Sequence, residues 1–288
     1  MKARVLTMAM LLITAATCMA QQNKLEFQTV VYKDSLYRTV KLMDYSGDQE
    51  PTYAIGKARE DYSVSTLKVV GGPAEAMEFL NQWLIIDAAE GAMDGPVNTK
   101  TVKQKFNEVK AKPEFAGKPL DINTVLRVKA SQFLSPDDPD NPEEAWGEIG
   151  NQIFASVIVN TNTPNYVTLY SDGYDYPSGA AHGMPWSIYF TFDLKNKRLL
   201  TLDDIFTKAG KSKVLQMVKK ELRDEYSEFG LSSEIGFPGN DPALTEKGVV
   251  FTYGAYEIGP YAMGMPEVCL PYSKVKQYMT PQAKALLK

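Results

Sequence analysis

Tyr170–Phe206, YSDGYDYPSGAAHGMPWSIYFTFDLKNKRLLTLDDIF, decides the fold. It begins in an alternating apolar run and breaks at Gly173, Pro177, Gly179, Gly183 and Pro185. It resumes alternation from Trp186 to Leu194. Alternation places successive side chains on opposite faces, so the stretch reads as strand, loop, strand. The loop is longer than the two residues a tight hairpin needs. Long ordered loops in compact domains commonly carry function. This one holds tyrosines and His182, the single histidine of the chain.

Outward from this stretch the pattern alternates between strands and helices. Upstream, Leu25–Val31 and Leu36–Met43 predict a hairpin or two early strands, and Tyr62–Val70 a further strand. Pro73 suits a first helical turn, and Met77, Leu80, Trp83 and Leu84 give one apolar face, so residues 73–89 are expected to be helical. A more polar helix follows over Thr99–Lys110, with Val102, Phe106 and Val109 inward. Asp121–Leu134 alternates Ile122, Thr124, Leu126 and Val128 and reads as a strand. Ile149–Asn160 and Asn165–Tyr170 add strands that form a meander with Trp186–Leu194.

Downstream, Asp203 begins a helical turn that buries Ile205 and Phe206. Lys211–Tyr226 is the clearest helix, with Val214, Leu215, Val218, Leu222 and Tyr226 on one stripe. Gly248–Tyr253 and Glu267–Pro271 are strands, separated by a second rigid aromatic loop, YEIGPYAMG at 256–264. The expected class is α+β, antiparallel sheets in a meander with helices packed on one face. The division expected is 21–195 and 196–288, packed as one unit.

Residues 1–20 have a positive start at Lys2 and Arg4, an apolar core from Val5 to Ala16 and small residues after it, the pattern of a secretory signal. The apolar run is shorter than the ~20 residues that span a bilayer. Cleavage after Ala20 leaves Gln21 first; the alternative is a lipoprotein anchored at Cys18. Either way the expected location is extracytoplasmic, in the periplasm or secreted. Without Lys2 and Arg4 the chain has 29 basic and 35 acidic residues, a net charge of −6. Nucleic acid and anionic membranes reward basic patches, so this balance disfavours both and suits a basic partner.

Candidate chemistry is sparse. Cys269, in Val268-Cys269-Leu270, reads as a small residue of a buried strand. One histidine and no cysteine cluster leave no zinc site, and no cofactor is expected. SPDDPDNPEE at 135–144 resembles a calcium loop in its acids but lacks the required glycine. Ser178 and His182, with Asp172 and Asp175 nearby, are the residue types of a hydrolytic triad, yet the GxSxG elbow is absent. Asp203, Asp204 and Glu257 are candidate carboxylates for glycoside chemistry. An envelope hydrolase using a carboxylate pair or His182 is therefore the alternative to a binding protein. Tyr and Trp on Gly/Pro-stiffened loops make interface anchors, because little rotamer entropy is lost on docking. Those positions include Tyr174, Tyr176, Pro185 and Trp186.

The motifs SGAAHG at 178–183, YFTFDL at 189–194, LTLDDIF at 200–206 and YEIGPYAMGMPEVCLPYS at 256–273 together resemble a known family. It is the paired domain of unknown function found in the ectodomain of RsiV, the lysozyme-sensing anti-sigma factor, and beside the catalytic domain of PdaC-type polysaccharide deacetylases. The resemblance implies a non-catalytic extracytoplasmic α+β domain. By analogy with the sensor it implies contact with a protein, lysozyme among the candidates; the aromatic loops read as a binding surface admit an envelope glycan as well. Pro260 and Tyr261 would face the partner, with Tyr174, Tyr176, Ser178 and His182 beside them.

Overall fold

The computed structural model of the chain describes residues 24–44, 52–93, 95–134, 142–145 and 147–288. The signal segment with Cys18, and most of the acidic loop read against calcium binding, lie outside the described residues.

A seven-stranded sheet is the spine, in the order β3-β1-β2-β4-β5-β6-β7. Strand β1 (Glu26–Asp44) pairs antiparallel with β2 (Thr52–Gly71), in a register that runs from Glu26↔Gly71 to Asp44↔Thr52. The two early runs, expected as a hairpin or as two separate strands, are therefore one strand. The polar stretch Lys33–Asp34–Ser35 between them keeps β geometry, because the facing strand satisfies its backbone and side chains of either kind fit an exposed strand. Strands β4 (Ile149–Asn162), β5 (Tyr166–Tyr176), β6 (Met184–Asp193) and β7 (Arg198–Leu199) form the expected antiparallel meander. Two pairings are parallel: β2 with β4, and β1 with the short β3 (Glu143–Ala145). The first needs a long crossover, which supplies the helices of one face.

Those helices are α1 (Ala74–Glu90), α2 (Thr99–Lys110) and α3 (Ile122–Phe133). The first two match expectation; Asn98 caps α2 by accepting from the amides of Lys100 and Thr101. The third replaces the strand expected over Asp121–Leu134. Its buried residues Ile122, Val125, Leu126 and Ala130 follow helical spacing. Asp121 caps it through the Thr124 amide at 2.8 Å. The alternation of Ile122, Thr124, Leu126 and Val128 was a coincidence of an amphipathic helix, and the cap was the overlooked signal.

Two apolar cores result. The first lies between α1–α3 and the sheet, with Trp83 set 4.9 Å from the ring of Phe190 and 4.8 Å from Phe192. Asn81 pins α1 to the strand it follows, accepting from Val69 N–H at 2.9 Å and donating to Val69 C=O at 3.0 Å. The second core gathers α4 (Leu202–Ile205), α5 (Lys208–Tyr226) and the final helices around a three-stranded sheet. That sheet orders β10 (Glu267–Pro271), β9 (Gly248–Thr252) and β8 (Ala243–Leu244). Cys269 lies in β10, as expected, but it is exposed. Val268 and Leu270 take the inward positions, so alternation sends Cys269 out.

The cores meet at the β5–β6 pair. Phe190 and Phe192 face α1; Thr168 and Thr191, on the opposite face, are buried against β8. Thr168 donates to Leu244 C=O at 2.5 Å, and Thr191 accepts from Leu244 N–H at 3.0 Å. The two hydroxyls are 2.9 Å apart. Each carries one proton, so Thr191 donates to Thr168 and the ring closes with every group satisfied. Thr191→Val would leave the Leu244 amide buried and unpaired, and is expected to cost about 1–3 kcal/mol in denaturant unfolding. Thr191→Ser, which keeps the hydroxyl, is expected to recover most of it.

A second buried polar group also matters for stability. Asp87, in the last turn of α1, lines a cavity between the helix and the sheet, and desolvation by burial pushes its carboxyl up to about 7. The native state thus holds its proton to higher pH than the unfolded chain, whose aspartate loses it near ~4. Stability falls as pH rises between these values and is level above. Asp87→Asn is expected to be more stable than the parent at pH 8, by on the order of 2 kcal/mol, and to lose that advantage at pH 4. Thermal unfolding at the two pH values measures this.

Candidate functional site

Loop 177–183 between β5 and β6 is shorter than the sequence indicated. Tyr170–Tyr176 stays in β5, and Met184 and Pro185 already belong to β6. Gly173 and Pro185 are therefore strand residues. Gly173 is needed because a Cβ there would stand 2.1 Å from the Trp186 ring. Trp186 itself lies on the helix face of the sheet and lines the Asp87 cavity, away from the loop tips.

The loop is built on a turn from Pro177 to Ala180, closed by Ala180 N–H to Pro177 C=O at 3.1 Å. Gly179 takes the left-handed position at φ 81° that a side chain would resist. Ser178 anchors the turn: its N–H donates to Asn151 Oδ1 at 2.9 Å and its hydroxyl to Ile149 C=O at 3.2 Å. Asn151 in turn donates to the buried Glu60 at 3.0 Å, which also pairs with Arg38 at 3.2 Å. A chain of polar contacts thus fixes the loop to the centre of the sheet.

The two aromatic loops meet at Gly183. Its N–H donates to Tyr174 Oη at 2.8 Å. Its C=O accepts from Tyr261 Oη at 3.0 Å and lies 3.0 Å from His182 Nδ1. A carbonyl only accepts, so Nδ1 carries the proton; in the neutral ring Nε2 then accepts from Tyr256 Oη, 3.0 Å away. His182 stacks on Tyr261 with centroids 4.0 Å apart, and Tyr256 leans on Tyr261 at 5.4 Å. Gly183 is buried, while His182, Tyr256 and Pro260 are exposed. Tyr256, 52% exposed, holds φ 66°, a left-handed conformation that costs a tyrosine of order 1 kcal/mol or more and is kept only where the surroundings enforce it. Two contacts of Glu257, to Gly239 N–H and Gly254 N–H at 2.7 Å each, do this.

Of the residues singled out from sequence, Tyr174, His182 and Tyr261 come together here, with Pro260 next to Tyr261 in the chain. Tyr176 ends β5 opposite Gln152 and makes no hydrogen bond or ring contact to the cluster. Ser178 faces Ile149 and Asn151 instead. Tyr256 is the member that sequence reading left out of the set; it begins the YEIGPYAMG stretch, and its left-handed backbone carries no sequence signal.

The hydrolytic triad is not assembled. The Ser178 hydroxyl is engaged by Ile149, Asp172 accepts from Ser156, and His182 is bonded to Gly183 and Tyr256. The candidate carboxylates are likewise engaged: Asp203 by Lys211, Asp204 by Arg198 and Thr201, and Glu257 by two backbone amides. Among the described residues no group of three His, Cys, Asp or Glu is placed to hold a metal ion.

Residues 203–273 match the model of a family described as a protein of unknown function, DUF3298. That span includes the Tyr256–Tyr261 loop but not the His182 loop. Two crystal structures share the fold. A member of the DUF3298 family from Bacteroides fragilis superposes with a TM-score of 0.56 at 21% identity, over 90% of this chain and 94% of the other. A DUF3298 family protein from Pseudomonas aeruginosa PAO1 gives 0.52 at 18% identity, over 90% and 96%. Identities this low speak to fold alone. No curated protein matches the sequence.

Gly183 is the position on which the cluster turns. A Cβ there would meet the Tyr174 ring at 2.4 Å and Asp175 C=O at 2.6 Å. Gly183→Ala is expected to push these groups apart and destabilise by about 1–3 kcal/mol. Tyr261→Phe, which removes one hydrogen bond at the rim, is expected to cost about 1 kcal/mol or less. Urea unfolding compares them; equal effects would show that Gly183 is not the hub.

Proposed function

We propose that this chain is an exported binding module that recognises a basic protein of the cell envelope, a lysozyme-like muramidase in the first instance, through the cluster of His182, Tyr256, Pro260 and Tyr261. One observation carries the reading: two loops 78 residues apart are locked at Gly183, leaving stiff aromatic rings at the surface. Aromatic anchors held before docking lose little entropy on binding, and so contribute more of their buried area to affinity. The excess of acidic over basic residues favours a basic partner by steering.

Three further features support the proposal. The amino-terminal pattern of residues 1–20 supports export. The resemblance to the RsiV ectodomain supports protein recognition by these loops. The threonine junction at Leu244 supports reading 21–195 and 196–288 as two parts packed as one unit.

Lysozyme immobilised on a sensor surface provides the test. The full chain is expected to be retained, with weaker retention at 0.5 M salt than at 0.05 M because screening acts on the steering charge. Tyr261→Ala and Tyr256→Ala are expected to lower affinity at least about tenfold, equivalent to ~1.4 kcal/mol, with far-ultraviolet circular dichroism unchanged. No retention of the parent chain, or equal retention of the folded variants, would sink the proposal.

A further inference from the structure

The cavity beneath the C-terminal end of α1 plays no part in the aromatic cluster. Its volume is about 360 Å³, within the range of small-molecule sites. The sheet face that floors it presents Val64, Ala155 and Ile188, and three rings, Tyr62, Phe190 and Trp186, complete the walls. Gly91 and Ala92, both exposed, place its mouth where α1 ends.

Ser65, Thr66 and Ser171 add hydroxyl groups to a lining that is otherwise largely apolar, and into it α1 projects one carboxyl, that of Asp87. It retains some open surface toward the cavity while the surrounding atoms strip it of bulk water. No side-chain hydrogen bond or ion pair holds it among the described residues. No lysine, arginine or histidine is among the residues lining the cavity. Lys105 and Lys112, the nearby cations beyond the helix end, are occupied by Glu90 at 2.5 and 2.6 Å. The other titratable group of the lining is Tyr62, whose hydroxyl burial pushes up to about 12 and so keeps neutral. The last turn of α1 carries no basic residue, and a helix C-terminus is the negative end of its dipole. A carboxylate there is disfavoured twice over, by dipole and by desolvation; the dipole favours a cation, and pairing with the carboxylate offsets the cation's own desolvation.

We propose that this cavity binds a small organic amine with an apolar body, the ammonium paired with Asp87 and the hydrocarbon laid against Trp186 and Phe190. The aromatic walls suit the ligand by burying its apolar part. A buried charge is tolerated where it is paired, so the ligand supplies the counter-ion that the chain omits.

Calorimetric titration of the full chain with 2-phenylethylamine, n-hexylamine and 2-phenylethanol tests this. At least one amine is expected to bind saturably at pH 8, and the alcohol at least about tenfold more weakly than 2-phenylethylamine. Both amines stay protonated from pH 5 to 8, whereas Asp87 is nearly all neutral at pH 5, so amine affinity is expected to fall on the order of 100-fold between the two. Asp87→Asn is expected to lose at least about tenfold at pH 8 and to show no pH dependence, with its folding checked by thermal unfolding. Tyr256→Ala is expected to bind amine as the parent does, which separates the cavity from the exposed rings on the other loops. Saturable binding of neither amine, alcohol binding as tight as amine, unchanged binding by Asp87→Asn, or loss in Tyr256→Ala would each overturn the proposal.

Discussion

The ring formed by Thr168, Thr191 and the backbone of Leu244 is the constraint on which the rest of the molecule rests. A sheet face buried against another sheet normally offers apolar side chains. Here two threonines stand in the middle of that face, at 0% and 2% exposure. Their cost is offset because they supply the hydrogen bonds that the end of a two-residue strand cannot find within its own sheet. The same strands, β5 and β6, carry Phe190 and Phe192 on the reverse face against Trp83. One antiparallel pair therefore sits between both cores. A shift of register by one residue would turn threonines toward Trp83 and phenylalanines toward Leu244, so the register is fixed from both sides.

Positioning the second core against β6 also positions the aromatic cluster. Tyr189, between Thr191 and Ser187 on the same face, donates to Glu267 of β10 at 3.0 Å, and Tyr170 packs on it at 4.6 Å. Farther along that face the contact ends in Tyr261 and Gly183. The cluster is thus the rim of an interface within the chain, which explains how exposed rings can be held still. Backbone strain at Tyr256 belongs to the same arrangement, since Glu257 fixes the neighbouring amides before the tyrosine turns outward. The Asp87 cavity lies on the reverse face of the sheet, so the two proposed sites are physically independent.

Much of this was legible in the residues. Period-two runs marked β4, β5, β6, β9 and β10, and period-three-to-four runs marked α1, α2 and α5. The glycine and proline content of both aromatic loops pointed to rigid turns. The misreadings have physical causes. Asp121–Leu134 satisfies both periodicities over a few residues, and only its cap distinguishes them. The early strands looked like two because a polar interval separates them, although a partner strand satisfies polar and apolar residues alike. Cys269 looked buried because its neighbours are.

The sequence by itself determined the class, α+β, most of its helices and strands, and the residue types displayed on the two loops, because these follow from periodicity, propensity and turn chemistry within a few residues. Tertiary structure alone decided which of them meet. Gly183 could be seen as a turn residue, but not as the atom pair joining Tyr174, His182 and Tyr261. Asp87 could be seen as one of many acids near a helix end, but not as one that, among the described residues, faces a cavity with no side-chain partner. Both facts depend on contacts between segments distant in the chain, where loop closure and packing, rather than local preference, set the outcome.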